Sequence, residues 1–95
     1  MEVKKTKIFD DWLLGLKDRR VITIITANIK RISQGNMSNV KSVGEKVFEK
    51  KIYFGAGYRL YFVNKNGDLI ILLCGGDKST QEKDIKLAQK IAKEI

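Results

Sequence analysis

The residues able to do chemistry are concentrated between Lys51 and Ser79. Lys51-Ile-Tyr53 and Tyr58-Arg59-Leu-Tyr61 flank a Gly55-Ala-Gly57 turn, and an apolar run ends in Cys74-Gly-Gly-Asp77-Lys78-Ser79. This set suits an anion, RNA above all. Arg59 can fork two donors onto a phosphate and keeps its charge at neutral pH. Lys51 and Lys78 are point charges able to flank a phosphate that gains negative charge in a transition state. Tyr53 and Tyr61 can stack on bases or lend a hydroxyl. The turn carrying Asp77 and Ser79 opens a helix, whose first amides add partial positive charge.

Two scarcities narrow the chemistry further. The chain has no histidine, which removes the commonest general base and metal ligand, and it has one cysteine. Neither a metal site nor a cofactor is therefore expected, and Ser79 lacks a histidine to activate it, so it reads as a cap. Each candidate also has a plain structural role. Arg59 suits a solvated strand, and Tyr53 and Tyr61 suit half-buried sheet positions. Gly75-Gly76 can relieve crowding between strand and helix, Asp77 can cap, and Cys74 can fill a core.

The elements that must position these residues follow from periodicity. Phe9, Trp12, Leu13 and Leu16 form a helical stripe behind a Thr6 cap. Asp18 caps a second helix with Ile22, Ile25, Ile29 and Ile32 on one face, and Gly35 stops it. From Val47 the period becomes two, giving strands over Val47–Phe54, Tyr58–Val63 and Leu69–Leu73, with Asn66-Gly67 as a hairpin turn. Leu69–Leu73 is apolar throughout, so it belongs inside the sheet and needs a second neighbour, for which residues 2–5 are the spare candidate. Ser79-Thr-Gln-Glu82 reads as a capping box before a last helix lined by Ile85, Ala88, Ile91 and Ile95. The expected fold is α+β, in the order β-α-α-β-β-β-α. A helical hairpin and a C-terminal helix pack with a mainly antiparallel four-stranded sheet.

A hairpin centred on Ala56 sets Arg59 opposite Tyr53 and Tyr61 opposite Lys51, so all four share one polar face. Phe48, Ile52, Phe54, Leu60 and Phe62 take the core face. The second turn then sets Arg59 across from Cys74, beside the Asp77-Lys78 turn.

Ninety-five residues with 43% apolar content suit a single domain over 1–95. Nineteen Lys and Arg against eleven Asp and Glu give a net charge of +8, which favours nucleic acid, an anionic membrane or an acidic protein. No apolar run approaches the roughly 20 residues that span a bilayer, and Met1–Lys7 has no apolar stretch behind it to serve as a secretion signal. With its lone cysteine the chain suits a reducing cytoplasm.

The chain resembles toxins of the RelE/ParE superfamily, in the group called addiction module killer proteins or HigB-like toxins. The similarity covers nearly the whole chain. Its blocks are Phe9-Asp-Asp-Trp-Leu-Leu-Gly-Leu-Lys-Asp-Arg-Arg20, Gly35-Asn with Val40-Lys-Ser-Val-Gly44, Gly55-Ala-Gly-Tyr-Arg-Leu-Tyr61, and Leu72-Leu-Cys-Gly-Gly-Asp-Lys-Ser79 with Gln81. The resemblance implies the toxin of a type II toxin–antitoxin system, held inactive in a hetero-oligomer with a helix-turn-helix antitoxin. It implies cleavage of mRNA on the ribosome without metal, through attack of the ribose 2′-hydroxyl. By motif, Arg59 matches the active-site arginine, Lys51 a basic residue of the preceding strand, and Lys78 the lysine of the Gly-Gly-Asp-Lys block. Tyr53, Tyr61, Asp77 and Ser79 are the expected RNA-binding neighbours. The chain departs from the pattern at Lys50, Tyr53 and Ala56, where hydrophobic, histidine and proline residues are usual. ParE-like branches inhibit DNA gyrase instead, and a non-catalytic RNA-binding regulator is the third reading.

Overall fold

The computed structural model describes residues 1–95. Its elements are β1 (Glu2–Lys5), α1 (Lys7–Leu14), α2 (Arg19–Ser33), β2 (Val40–Ser42), β3 (Phe48–Ile52), β4 (Tyr58–Lys65), β5 (Leu69–Gly76) and α3 (Gln81–Glu94), with a 3-10 turn over Lys78–Thr80. The expected starts of α1 and α2 hold because their caps are satisfied. Thr6 Oγ1 accepts from the Phe9 amide at 3.0 Å and donates to the Leu73 carbonyl at 2.7 Å, tying α1 to β5 as it caps it. Asp18 Oδ1 accepts from the Arg20 amide at 2.9 Å. After Ser33 the amide of Asn36 bonds back to the Arg31 carbonyl around Gly35, whose φ of +86° glycine adopts without strain.

The sheet has five strands in the order β1-β5-β4-β3-β2, antiparallel except for the parallel β1–β5 pair. Residues 2–5 do supply the second neighbour of the apolar strand. The fifth strand corrects the four expected. Val40-Lys-Ser is too short to show a strand period, and it forms because β3 offers an edge, pairing Val40 with Lys50 and Ser42 with Phe48.

Helices cover both faces. Phe9, Leu13, Val21, Ile25 and Ile32 from α1 and α2 pack on Ile52, Leu60, Phe62, Ile70 and Leu72. On the other face Ala88 of α3 packs over Val47, Tyr61, Val63, Leu73 and Cys74. Strand β5 feeds both cores, which its unbroken apolar run requires. Each fully buried side chain of this size contributes about 1.5–3 kcal/mol. The buried face of α2 runs through Val21, Ile25, Asn28 and Ile32, rotated from the expected isoleucine row. No helix is long and apolar enough to cross a membrane.

The first hairpin register slips by two from expectation, and the second by one near its turn and by two beyond the bulge. Lys51 pairs with Arg59 and Glu49 with Tyr61, because β3 ends at Ile52 and residues 53–57 form the connection. Phe54 thus lies beyond the strand, 36% exposed, and is not a core residue. In the second hairpin, Arg59 pairs with Gly76 and Tyr61 with Cys74. Asn66 and Gly67 both take positive φ as expected, but Asp68 lengthens the loop and a bulge at Tyr61/Phe62 adds the rest of the slip. A shift of two leaves alternation unchanged, so Lys51, Arg59 and Tyr61 still share a face, whereas Tyr53, beyond the end of β3, does not belong to the strand that was to carry it.

Candidate functional site

Alternation along β3 and β4 sends Glu49, Lys51, Arg59 and Tyr61 to the α3 face of the sheet. At the end of the sheet that face opens into a cavity of about 300 Å³, whose walls include Lys41, Glu49, Lys51, Tyr53 and Arg59. Three cations thus converge around one carboxylate. Arg59 is 5% exposed, not a solvated strand residue. Its Nη1 donates to the Gly57 carbonyl at 3.0 Å. Its buried Nε has no hydrogen-bond acceptor, since Glu49 Oε1 stands 3.8 Å away. A buried donor left unmade costs about 1–3 kcal/mol, so this Nε is an unmet hydrogen-bonding demand in the protein. Lys51 Nζ lies over the Tyr53 ring, 4.6 Å from its centroid. Tyr53 is 71% exposed, free to offer its ring as a stacking surface.

Glu49 is the residue around which the pocket is built. Its Oε2 accepts from the Tyr61 hydroxyl at 3.0 Å and from Gln81 Nε2 at 3.0 Å, while Lys41 Nζ stands 3.7 Å from its Oε1. A buried carboxylate is tolerated only with such partners. Gln81 begins α3, so the last helix is fastened to the pocket through this bond. The Tyr61 placement corrects the expected base-stacking role. Its ring is wholly buried under α3, and burial, then the Glu49 charge, hold its hydroxyl protonated well above the usual phenol range.

Asp77 and Ser79 form a local turn. Asp77 Oδ1 accepts from the Ser79 amide at 2.8 Å and from its hydroxyl at 2.5 Å. These bonds, the Ser79 hydroxyl foremost, pull the Asp77 carboxyl below its usual range. Asp77 therefore caps the 3-10 turn, and no Ser79 capping box forms; Thr80 precedes α3 without a side-chain cap bond. Lys78 is exposed and lies outside the cavity walls. It is still close, because its amide bonds to the Ala56 carbonyl at 3.4 Å and only Gly57 separates it from Arg59. Gly75 and Gly76 do relieve crowding. A Cβ on Gly75 would collide with the Trp12 ring of α1, and one on Gly76 with the Asp84 carboxylate of α3. Cys74 is buried, and that burial pushes its thiol up to about 12.

Lys51, Tyr53 and Arg59 are therefore brought together, Lys78 borders them, and Tyr61 supports them from beneath. Glu49 and Lys41 escaped the sequence reading, and Gln81 entered it only as part of a motif block, without a role. Glu49 was findable, since alternation from Lys51 puts it on the same face. Lys41 was hidden because its strand exists only by pairing.

The fold places the chain among α+β proteins of the RelE toxin architecture. Over 81% of this chain and 96% of the other, it superposes on a chain of the solved toxin–antitoxin complex RelBE2 from Mycobacterium tuberculosis, with a TM-score of 0.66 at 16% identity. The family described as phage-derived protein Gp49-like (DUF891) matches residues 11–94, and the chain belongs to it. An uncharacterized protein of Haemophilus influenzae is 52% identical across 100% of this chain and 96% of its own length.

Proposed function

We propose that this protein is the toxin of a type II toxin–antitoxin system, a metal-independent endoribonuclease that cuts mRNA on the ribosome. The observation that carries this reading is the buried Arg59 guanidinium, with its Nε unpartnered, at a pocket lined by Lys41 and Lys51. The ribose 2′-hydroxyl attacks the adjacent phosphorus and loses its proton. The phosphorus–O5′ bond breaks, leaving a 2′,3′-cyclic phosphate, and the departing O5′ gains a proton. Arg59 stabilises the charge that builds on the phosphorane oxygens, Lys51 favours the developing 2′-oxyanion, and Lys78 holds the phosphate or neutralises the leaving oxygen. Glu49 positions Arg59 and Lys41. In this reading the cations that serve the reaction are the side chains of Arg59, Lys51 and Lys78. The superposition on a RelBE2 chain supports an antitoxin as partner.

Induction in cells, followed by measurement of amino-acid incorporation, mapping of mRNA 5′ ends and plasmid supercoiling, tests the reading. Translation should stop with mRNA cut, and Arg59→Gln should lose roughly 100- to 1000-fold of the cleavage rate. Purified translation mixtures should show the same cleavage after trace metals are stripped at fixed free magnesium. Intact mRNA with altered supercoiling would overturn the proposal in favour of a gyrase inhibitor.

A further inference from the structure

We infer that the crevice between α2 and the end of β3 is a second phosphate site, where Lys50 and Arg31 hold an RNA backbone phosphate beyond the one at Arg59. The inference takes its ligand class from the ribonuclease reading but stands on different residues. Alternation sends Lys50 to the opposite sheet face from Lys51, among apolar neighbours such as Ile52 and Leu60. The Lys50 residue as a whole is only 4% exposed. Its ammonium makes one hydrogen bond, to the Ser38 carbonyl at 2.5 Å, and no carboxylate lies within ion-pair distance. Arg31, in the last turn of α2, has no acidic partner either. Burial first, and the Arg31 charge second, make the protonated form of Lys50 harder to keep. Two adjacent cations without a counter-charge are relieved by an anion.

The space for one is there. A cavity of about 300 Å³ is walled by Asn28, Arg31, Lys50, Lys51, Tyr53 and others, none of them acidic. It shares Asn39, Lys51 and Tyr53 with the Arg59 cavity on the other face. The join lies where β2 runs out. Val40 pairs with Lys50, the Lys51 amide reaches the Asn39 carbonyl at 3.0 Å, and beyond that β3 is a bare edge. A single strand rounding this edge meets Arg59 on one side, the exposed Tyr53 ring at the rim, and Lys50 with Arg31 on the other. Regularly spaced phosphates separated by stackable bases fit that sequence of contacts.

Fluorescence anisotropy at low salt on the full chain tests the site, with a dinucleotide and an octanucleotide RNA whose 2′-hydroxyls are methylated to prevent cutting. Arg31→Gln alters an exposed side chain and should leave folding intact. It should weaken the octanucleotide roughly 3- to 10-fold and lower its salt slope by about 1. The dinucleotide, too short to round the edge, should bind as before. Lys50→Met, which keeps the buried stem, should reproduce this if its thermal unfolding matches the parent. The exposed Lys90, changed to Ala, is the control. An octanucleotide indifferent to Arg31→Gln overturns the inference, as does an equal loss with Lys90→Ala. If Arg59→Gln weakens both RNAs while Arg31→Gln weakens neither, this site falls and the ribonuclease reading stands. If the parent binds neither RNA, this site also falls, and the mapped mRNA ends judge the enzyme separately.

Discussion

Arg59 and Glu49 are both sealed into the protein, yet they face each other at 3.8 Å without a hydrogen bond. A pair held for stability alone would close to bonding distance, since separation leaves desolvation uncompensated. The gap is consistent with an arginine kept available for an incoming phosphate. It also changes what an arginine substitution does. On a solvated face Arg59→Ala would leave stability untouched, but here it strips the buried cation from a carboxylate that is 2% exposed. Arg59→Gln should therefore cost about 1–3 kcal/mol in urea denaturation. The double variant Glu49→Gln/Arg59→Gln should recover most of that loss, because a neutral pair is far cheaper to bury, while activity stays lost. Strictly additive destabilisation would show that the two charges do not sense each other.

At the scale of elements, the glycine pair ending β5 separates stability from function. Gly75 faces the Trp12 ring on the α1 side and Gly76 faces Asp84 and Thr80 on the α3 side. A methyl against a rigid indole cannot be relieved by a rotamer change, so Gly75→Ala should cost about 1–3 kcal/mol. Gly76→Ala meets the end of a flexible side chain, and Asp84 can swing away at the expense of its 2.5 Å bond from the Thr80 hydroxyl. That disturbs the first turn of α3, from which Gln81 reaches Glu49. Thermal unfolding and mRNA cleavage measured side by side should rank Gly75→Ala as the less stable variant and Gly76→Ala as the less active one at equal folded fraction. The reverse ranking would detach α3 from the pocket.

These elements also mark what was legible in the sequence. The starts of α1 and α2, the interior strand and its second neighbour were readable because each rests on local capping or on an unbroken apolar run. Strand β2 was not, because its three residues are ordered by an edge and not by their own pattern. Registers were off by one or two because loop length and a bulge depend on tertiary packing. Lys51, Arg59 and Tyr61 still kept their common face, since a shift of two leaves alternation unchanged, but Tyr53 fell outside the strand. The burial of Tyr61 was invisible for a related reason. The polar face of the hairpin divides into a part roofed by α3 and a part open to solvent, and a two-residue period does not say where the roof ends.

The whole molecule carries a net charge of +8, with cations walling the pockets on both sides of the β3 edge. If the antitoxin proposed as partner is acidic, this edge is the surface that would attract it. Steering of this kind raises the association rate and fades as salt shortens the Debye length, whereas apolar burial sets dissociation and is nearly blind to salt. Surface plasmon resonance on the toxin and the product of the neighbouring gene should show association slowing about tenfold or more between roughly 50 and 500 mM NaCl, with dissociation changing little. Arg31→Gln should flatten that dependence, and Lys90→Ala, remote from the edge, should flatten it less. An association rate indifferent to salt would place the antitoxin away from the cationic edge. A neighbouring gene product that neither binds nor rescues growth would remove the toxin–antitoxin reading while leaving the fold as described.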